Sequence, residues 1–392
     1  MSNINPRCPL CKRGNNKNFW LKLKKKEHIL ALAPMAGITD CAFRTLCREM
    51  GADVVYTEMV SADALYYDSK KTMELLKISK KEHPVVVQLF GKKPELFKKA
   101  AMIAQEAGAD GIDINFGCPA KKVVAHNGGV ALMRDLALSK KIIEAVLSVV
   151  DIPVSVKIRS GIYANRRECE SESTRIRITA LDFMKNIIDL PIAAVMVHGR
   201  TYEQGFSGEP DYEMIKGVVD LLKTTPDPSL SRRGNIRIIP SSSRRKSLLR
   251  RGETVVLGNG GIKTLEDAKI MIEKTGADGL GIAQGVLGRP WLFRDIKEYM
   301  VSGEKCEYNE NTPLAPLKRG IDADLTRKKT DEIKKIALRH AKLAYKMKGD
   351  HGIVEMRKHL LWYVKGWPDA KGLREKLVRV ESVEEIKRVL SI

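Results

Sequence analysis

The chain has 392 residues, enough for a large core, and its 43% hydrophobic content is that of a globular protein. Its 69 lysines and arginines against 48 acids leave a formal charge of +21, which favours a polyanionic partner, nucleic acid before an anionic membrane. No apolar run approaches the roughly 18 residues of a membrane span, the N-terminus lacks the apolar core of a signal peptide, and 7 cysteines without a framework suggest a reducing, cytoplasmic setting.

Residues 1–27 are polar and basic and read as a tail. Cys8-Pro9-Leu10-Cys11 is a CxxC pair with no second pair at zinc spacing, so no metal site is expected. From Ile29 strand-like and helix-like segments alternate. Strands are expected over Ile29–Ala33, Asp53–Thr57, Pro84–Leu89, Asp110–Asn115, Pro153–Ile158, Ala193–Val197, Thr254–Leu257 and Asp278–Ala283. Apolar spacing of three and four predicts helices over Asp40–Met50, Lys70–Ile78, Pro94–Ala107, Leu136–Val149, Arg175–Ile188, Asp211–Leu222 and Thr264–Lys274. Helix exits recur as Gly51-Ala52-Asp53, Gly108-Ala109-Asp110 and Gly276-Ala277-Asp278, with glycine as the left-handed terminator.

Strict alternation implies a parallel sheet, and closing eight such units makes a (β/α)8 TIM barrel over residues 28–300. A doubly wound sheet is the weaker alternative. Residues 225–253 interrupt the rhythm with a basic Ser/Pro/Arg insert of disordered composition, on the amino-terminal face of a barrel. Residues 301–330 read as a linker or second insert. Residues 331–392 are purely helical, dense in cations such as Arg357 and Lys358, with Tyr345, Trp362, Tyr363 and Trp367 interleaved. A small basic helical domain of this kind reads as a nucleic-acid clamp.

The carboxyl ends of the strands carry the chemistry of such barrels. In turn they offer Pro34-Met35-Ala36-Gly37, Glu58-Met59, Gln88, Asn115 with Cys118, Lys157 with Arg159, His198-Gly199-Arg200, Asn259-Gly260-Gly261 and Ala283-Gln284-Gly285. Cys118 sits between a glycine and a proline, just past the fourth strand. The glycine-rich turns after the last two strands occupy the usual phosphate-binding place. A phosphate tail there, with Lys157, Gln88 and Asn115 facing a ring over the barrel, suits flavin mononucleotide (FMN).

Several motifs together resemble the flavin-dependent tRNA dihydrouridine synthases, in particular the bacterial B-type branch. They are Ala33-Pro34-Met35-Ala36-Gly37-Ile38-Thr39-Asp40, Val87-Gln88-Leu89-Phe90-Gly91, Asp113-Ile114-Asn115-Phe116-Gly117-Cys118-Pro119, Val156-Lys157-Ile158-Arg159, Val197-His198-Gly199-Arg200-Thr201 and Gly258-Asn259-Gly260-Gly261. The resemblance covers about residues 29–300 and, more loosely, the helical tail. It implies FMN contacts at Pro34, Met35, Ala36, Gln88, Lys157, His198, Asn259, Gly260, Gly261, Ala283 and Gln284. It places Asn115, Arg159, Arg200, Arg357 and Lys358 toward the tRNA substrate.

The implied reaction is NADPH- or NADH-dependent reduction of the uracil C5–C6 double bond, with hydride from flavin N5 to C6 and a proton from Cys118 to C5. Gln284 departs from the pattern, because the family usually has arginine there to face the phosphate. The basic insert also lies outside the pattern. Two rival readings are a small-molecule flavin reductase of dihydroorotate-dehydrogenase type and a non-catalytic RNA-binding protein.

Overall fold

A computed structural model of the chain describes residues 18–26, 28–163, 177–224, 253–302 and 323–392. Cys8, Cys11, nearly all of the basic insert and most of the 301–330 linker lie outside the described residues. The strands are β1 (Ile29–Leu32), β2 (Val54–Ser61), β3 (Val85–Phe90), β4 (Gly111–Phe116), β5 (Val154–Arg159), β6 (Gly161–Tyr163), β7 (Arg177–Thr179), β8 (Ala194–His198), β9 (Val255–Asn259) and β10 (Gly279–Ile282). Eight of them close a parallel barrel in the order β1-β10-β9-β8-β5-β4-β3-β2. The TIM barrel expected from the alternation is therefore present.

Two departures are local. The helix expected from Arg175 begins at Ala180, because Thr179 and Asp182 form a reciprocal capping box there. The residues before it, Arg177–Thr179, pair antiparallel with Gly161–Tyr163 as a small hairpin over the mouth side of β5. The helix expected over Lys70–Ile78 stops at Glu74, and Leu76 turns in to be buried.

Alternation along each strand sorts the core into two shells. Val85, Val87 and Leu89 of β3, and Ile112 and Ile114 of β4, pack outward against the helices. Ala31, Val54, Tyr56, Val86, Met196 and Leu257 point inward and fill the lower half of the barrel. The floor is Trp20, which is 0% exposed on a short helix, Phe19–Lys24. Lys24 fastens that helix to the amino-terminal ends of two strands, donating to the Thr254 carbonyl at 3.1 Å and pairing with Asp278 at 3.3 Å. The end of the basic tail is thus part of the barrel. Trp20→Ala is expected to cost about 3–5 kcal/mol in urea unfolding; a loss below about 1 kcal/mol would show that the plug is dispensable.

The C-terminal helices, Ala323–Lys348, Asp350–Tyr363, Ala370–Leu377 and Val383–Val389, form a second core. It is continuous with Ala42 and Leu46 of the barrel helix Cys41–Glu49. Salt bridges Arg339–Glu49 at 2.6 Å and Lys348–Asp40 at 2.8 Å edge this seam. Burial disfavours the Asp40 carboxylate, but the Lys348 ammonium holds its pKa down to about 2.

Inside the seam Phe43 stacks on His340 with centroids 5.3 Å apart, and His359 meets His340 edge-on at 4.6 Å. His340 is 1% exposed and shares a hydrogen bond with the Tyr363 hydroxyl at 3.2 Å. Burial pushes its pKa down to about 4. The unfolded chain takes up the proton near pH 6.5 and the folded chain does not, so stability falls as pH drops from about 6.5 to about 4. This one group should remove about 3 kcal/mol. Thermal melts of wild type and His340→Phe across that window test it, and parallel pH slopes would refute it.

Candidate active site

The inward positions change character towards the carboxyl ends of the strands. Above the apolar floor come Gln88 on β3, Asp113 and Asn115 on β4, Ser155 and Lys157 on β5, His198 on β8 and Asn259 on β9. Each stands two residues beyond an inward neighbour, so the pleat alone aims all of them at one mouth.

A carboxylate anchors one side of this layer. Asp113 accepts from Gln88 Nε2 at 2.8 Å and from the Ser155 hydroxyl at 2.7 Å. With its amide so turned, Gln88 Oε1 accepts from Asn115 Nδ2 at 2.8 Å. Asn115 Oδ1 then accepts the backbone N–H groups of Gly117 at 3.0 Å and Cys118 at 2.8 Å. The relay Asp113–Gln88–Asn115 therefore sets the loop that carries the thiol. Asn115, expected among the substrate contacts, uses its carboxamide to hold that loop. Burial raises the Asp113 pKa to about 6. Asp113 and Ser155 were not anticipated as site residues, although each lies two positions before one that was, on the same face of its strand.

Cys118 is half-buried, and burial raises its pKa, so it stays a thiol at neutral pH. Arg159 braces the same loop from below. Its Nε donates to the Gly117 carbonyl at 2.9 Å, and Nη1 donates to Thr201 and Gly205 carbonyls, each at 2.8 Å. At 2% exposure it ties the β4 loop to the β8 loop. Its expected approach to substrate is thereby limited.

Across the mouth, Lys157 Nζ donates to Asn259 Oδ1 at 3.0 Å, and Asn259 Nδ2 donates to the Gly281 carbonyl at 2.6 Å. Burial, reinforced by the Arg159 cation, pushes the Lys157 pKa down to about 8. Burial and the cations Lys157, Arg159 and Arg200 hold His198 down to about 2. Its imidazole is neutral at working pH and can share a hydrogen bond but carries no charge for an anion.

His198, Arg200, Asn259, Gly260, Gly261, Ala283 and Gln284 all line one pocket between the ends of β8, β9 and β10. Gly260 has φ +109, and a Cβ there would lie 2.6 Å from His198 Cδ2, so glycine keeps the pocket open. Arg200 donates Nε and Nη2 to the Gly208 carbonyl, at 3.0 and 2.7 Å. Its Nη1 lies 3.3 Å from the place a Gly260 Cβ would take.

Pro34, Met35 and Ala36 form the loop after β1, where the Met35 N–H donates to Thr39 Oγ1 at 3.2 Å. Arg357 donates Nε to the Val380 carbonyl at 2.9 Å, within the helical domain. Lys358 is half-buried and close enough to Glu58 to act on its carboxyl.

The family model described as dihydrouridine synthase matches residues 31–226 and 244–392. The chain belongs to the dihydrouridine synthase family. It is 35% identical over 357 residues to tRNA-dihydrouridine synthase B of Pseudomonas putida, covering 91% of this chain and 88% of that one. Over 356 residues it is 34% identical to the Pseudomonas aeruginosa protein of the same name, covering 91% and 89%. A probable tRNA-dihydrouridine synthase 1 of Synechocystis sp. is 32% identical over 359 residues, covering 91% and 84%. Membership of this family of oxidoreductases was legible from the strand-end motifs. The match extends through the helical domain and omits residues 227–243, inside the basic insert. Among the described residues no helix is long and apolar enough to cross a membrane.

Proposed function

We propose that the chain reduces the C5–C6 double bond of a uridine in tRNA to 5,6-dihydrouridine, in the cytoplasm, using FMN in the barrel mouth and NADPH or NADH as reductant. The observation that carries this reading is the placement of a neutral thiol opposite a glycine-lined, cationic pocket in one barrel mouth. Cys118 follows β4, and the pocket lies at the ends of β8, β9 and β10.

The residues present fit an FMN. The pocket offers unbranched backbone at Gly260, Gly261 and Gly285 for a phosphate, and Arg200 and Lys263 supply charge beside it. Arg200 thus makes up for the arginine missing at position 284. Lys157 and Gln88 would face the ring, and Pro34, Met35 and Ala36 would border it. Bound flavin supplies the hydride that reaches uracil C6.

Hydride at C6 leaves an electron pair that spreads over C5 and O4 of the pyrimidine. The Cys118 thiol gives its proton to C5 and is left as thiolate, which solvent reprotonates. Its raised pKa keeps the proton on sulfur until the carbon needs it. Lys157, charged below about pH 8, stabilises the developing negative charge in a partly dehydrated mouth. A stacked base cannot reach this depth, so the target uridine must swing out of the helix. Phosphate contacts from the helical domain offset the few kcal/mol that extrusion costs.

The test is to incubate purified protein with NADPH and either unmodified tRNA transcript or free uridine. A gain of two hydrogens at one tRNA uridine, with free uridine unreacted, is the expected result. Reduction of free pyrimidines at a comparable rate would favour a small-molecule reductase, and the lack of any flavin absorbance would favour a binding protein.

A further inference from the structure

We propose that the barrel itself carries a second grip on the tRNA backbone: Lys92 and Lys93 after β3, with Lys121 and Lys122 after β4. This rests on tRNA being the substrate and assigns where else on the chain it is held. β3 and β4 are paired neighbours, with Gln88 beside Asp113, so their loops leave the same rim of the mouth. The loops also touch, since a Cβ at Gly128 would lie 3.2 Å from the Gly91 carbonyl oxygen. All four ammonium side chains are exposed, and none forms an ion pair with a described residue. Two acids lie close by, Glu95 in sequence and Asp63, whose Oδ2 is 3.1 Å from where a Gly91 Cβ would stand, so the four lysines outnumber them.

The excess of positive charge on this rim is self-repelling, and an approaching polyanion removes that cost. Their position also suits a swung-out nucleotide. Lys121 is three residues past Cys118, so its Cα lies within about 11 Å of the thiol residue. Phosphates flanking a uridine inserted over Cys118 fall within reach of these side chains. Around the ring β4 is four places from β10. The helical domain packs on the helix Cys41–Glu49, between β1 and β2, and also reaches the loop after β10, where a Cβ at Gly288 would meet the Trp362 carbonyl oxygen at 2.5 Å. The rim lysines therefore add a grip beside the thiol loop to the phosphate contacts of the helical domain.

The experiment measures dissociation constants for an unmodified tRNA transcript against salt concentration. It compares wild type with a variant carrying Lys92→Gln, Lys93→Gln, Lys121→Gln and Lys122→Gln. A control carries Lys22→Gln, Lys141→Gln, Lys185→Gln and Lys216→Gln, the same charge change on exposed lysines away from the mouth. The rim variant should lose about 3 from the log–log salt slope and bind at least about tenfold more weakly near physiological salt, while the control changes little. Its flavin reduction by NADPH should equal wild type. An unchanged slope in the rim variant, or an equal loss in the control, would overturn the grip. A wild-type protein with the rim-dependent slope that forms no dihydrouridine would leave the grip standing and overturn the reaction assigned above.

Discussion

Replacing Cys118 with alanine is expected to slow dihydrouridine formation in tRNA by about 10²–10⁴-fold, the usual loss on removing a positioned proton donor. The reductive half of the cycle should survive, because the thiol proton is called on only when the uracil carbon is reduced. Stopped-flow loss of the flavin absorbance on adding NADPH would then match wild type, while dihydrouridine accumulates slowly. Alanine leaves the Asn115 hydrogen bonds to the loop intact, since these go to backbone N–H groups. Loss of activity through a disordered loop is thereby separated from loss of the proton. Cys118→Ser should fall between, as a weaker acid in the same place. Unchanged tRNA turnover in the alanine variant would remove the thiol from the chemistry.

The second large effect concerns Lys157. Lys157→Met should lower tRNA turnover by about 10²–10³-fold, the scale of removing one aimed electrostatic group from a water-poor site. A pH series supplies the readout that a structural role would not move. The folded pKa lies below the ordinary lysine value because burial opposes the charge, so the ammonium is lost as pH rises through about 8. Wild-type turnover should fall across that range, and the methionine variant should be slow and flat. Below pH 8 the buried ammonium opposes folding, and that cost fades as the unfolded lysine also loses its proton near 10.5. The methionine variant should therefore melt at the same temperature at pH 7 or higher. A methionine variant that loses both activity and stability would mark Lys157 as a packing residue.

Much of this protein follows from periodicity in its chain. The apolar run Val85–Val87 marks a strand, and the two-residue alternation in Asp113–Asn115 and Ser155–Lys157 determines that their polar members share a face. The Gly-Ala-Asp exits determine where several helices stop. Local chemistry suffices for these features because strand pleat and helix termination involve only near neighbours. The ring of polar strand ends, and through it the family, could be read for the same reason.

What tertiary structure decided is the division of labour inside that ring. Arg159 and Asn115 look like substrate contacts in a linear motif, yet they hold the thiol loop through bonds that span β4, β5 and the β8 loop. His198 is held neutral because burial and the β5 cations Lys157 and Arg159 act on it together with Arg200 of its own loop. Trp20 sits in a polar, basic stretch and still forms the barrel floor, since only the closed barrel creates an apolar cavity for it to fill. Pairing between strands and the local dielectric depend on residues far apart in the chain, so no window of sequence contains them.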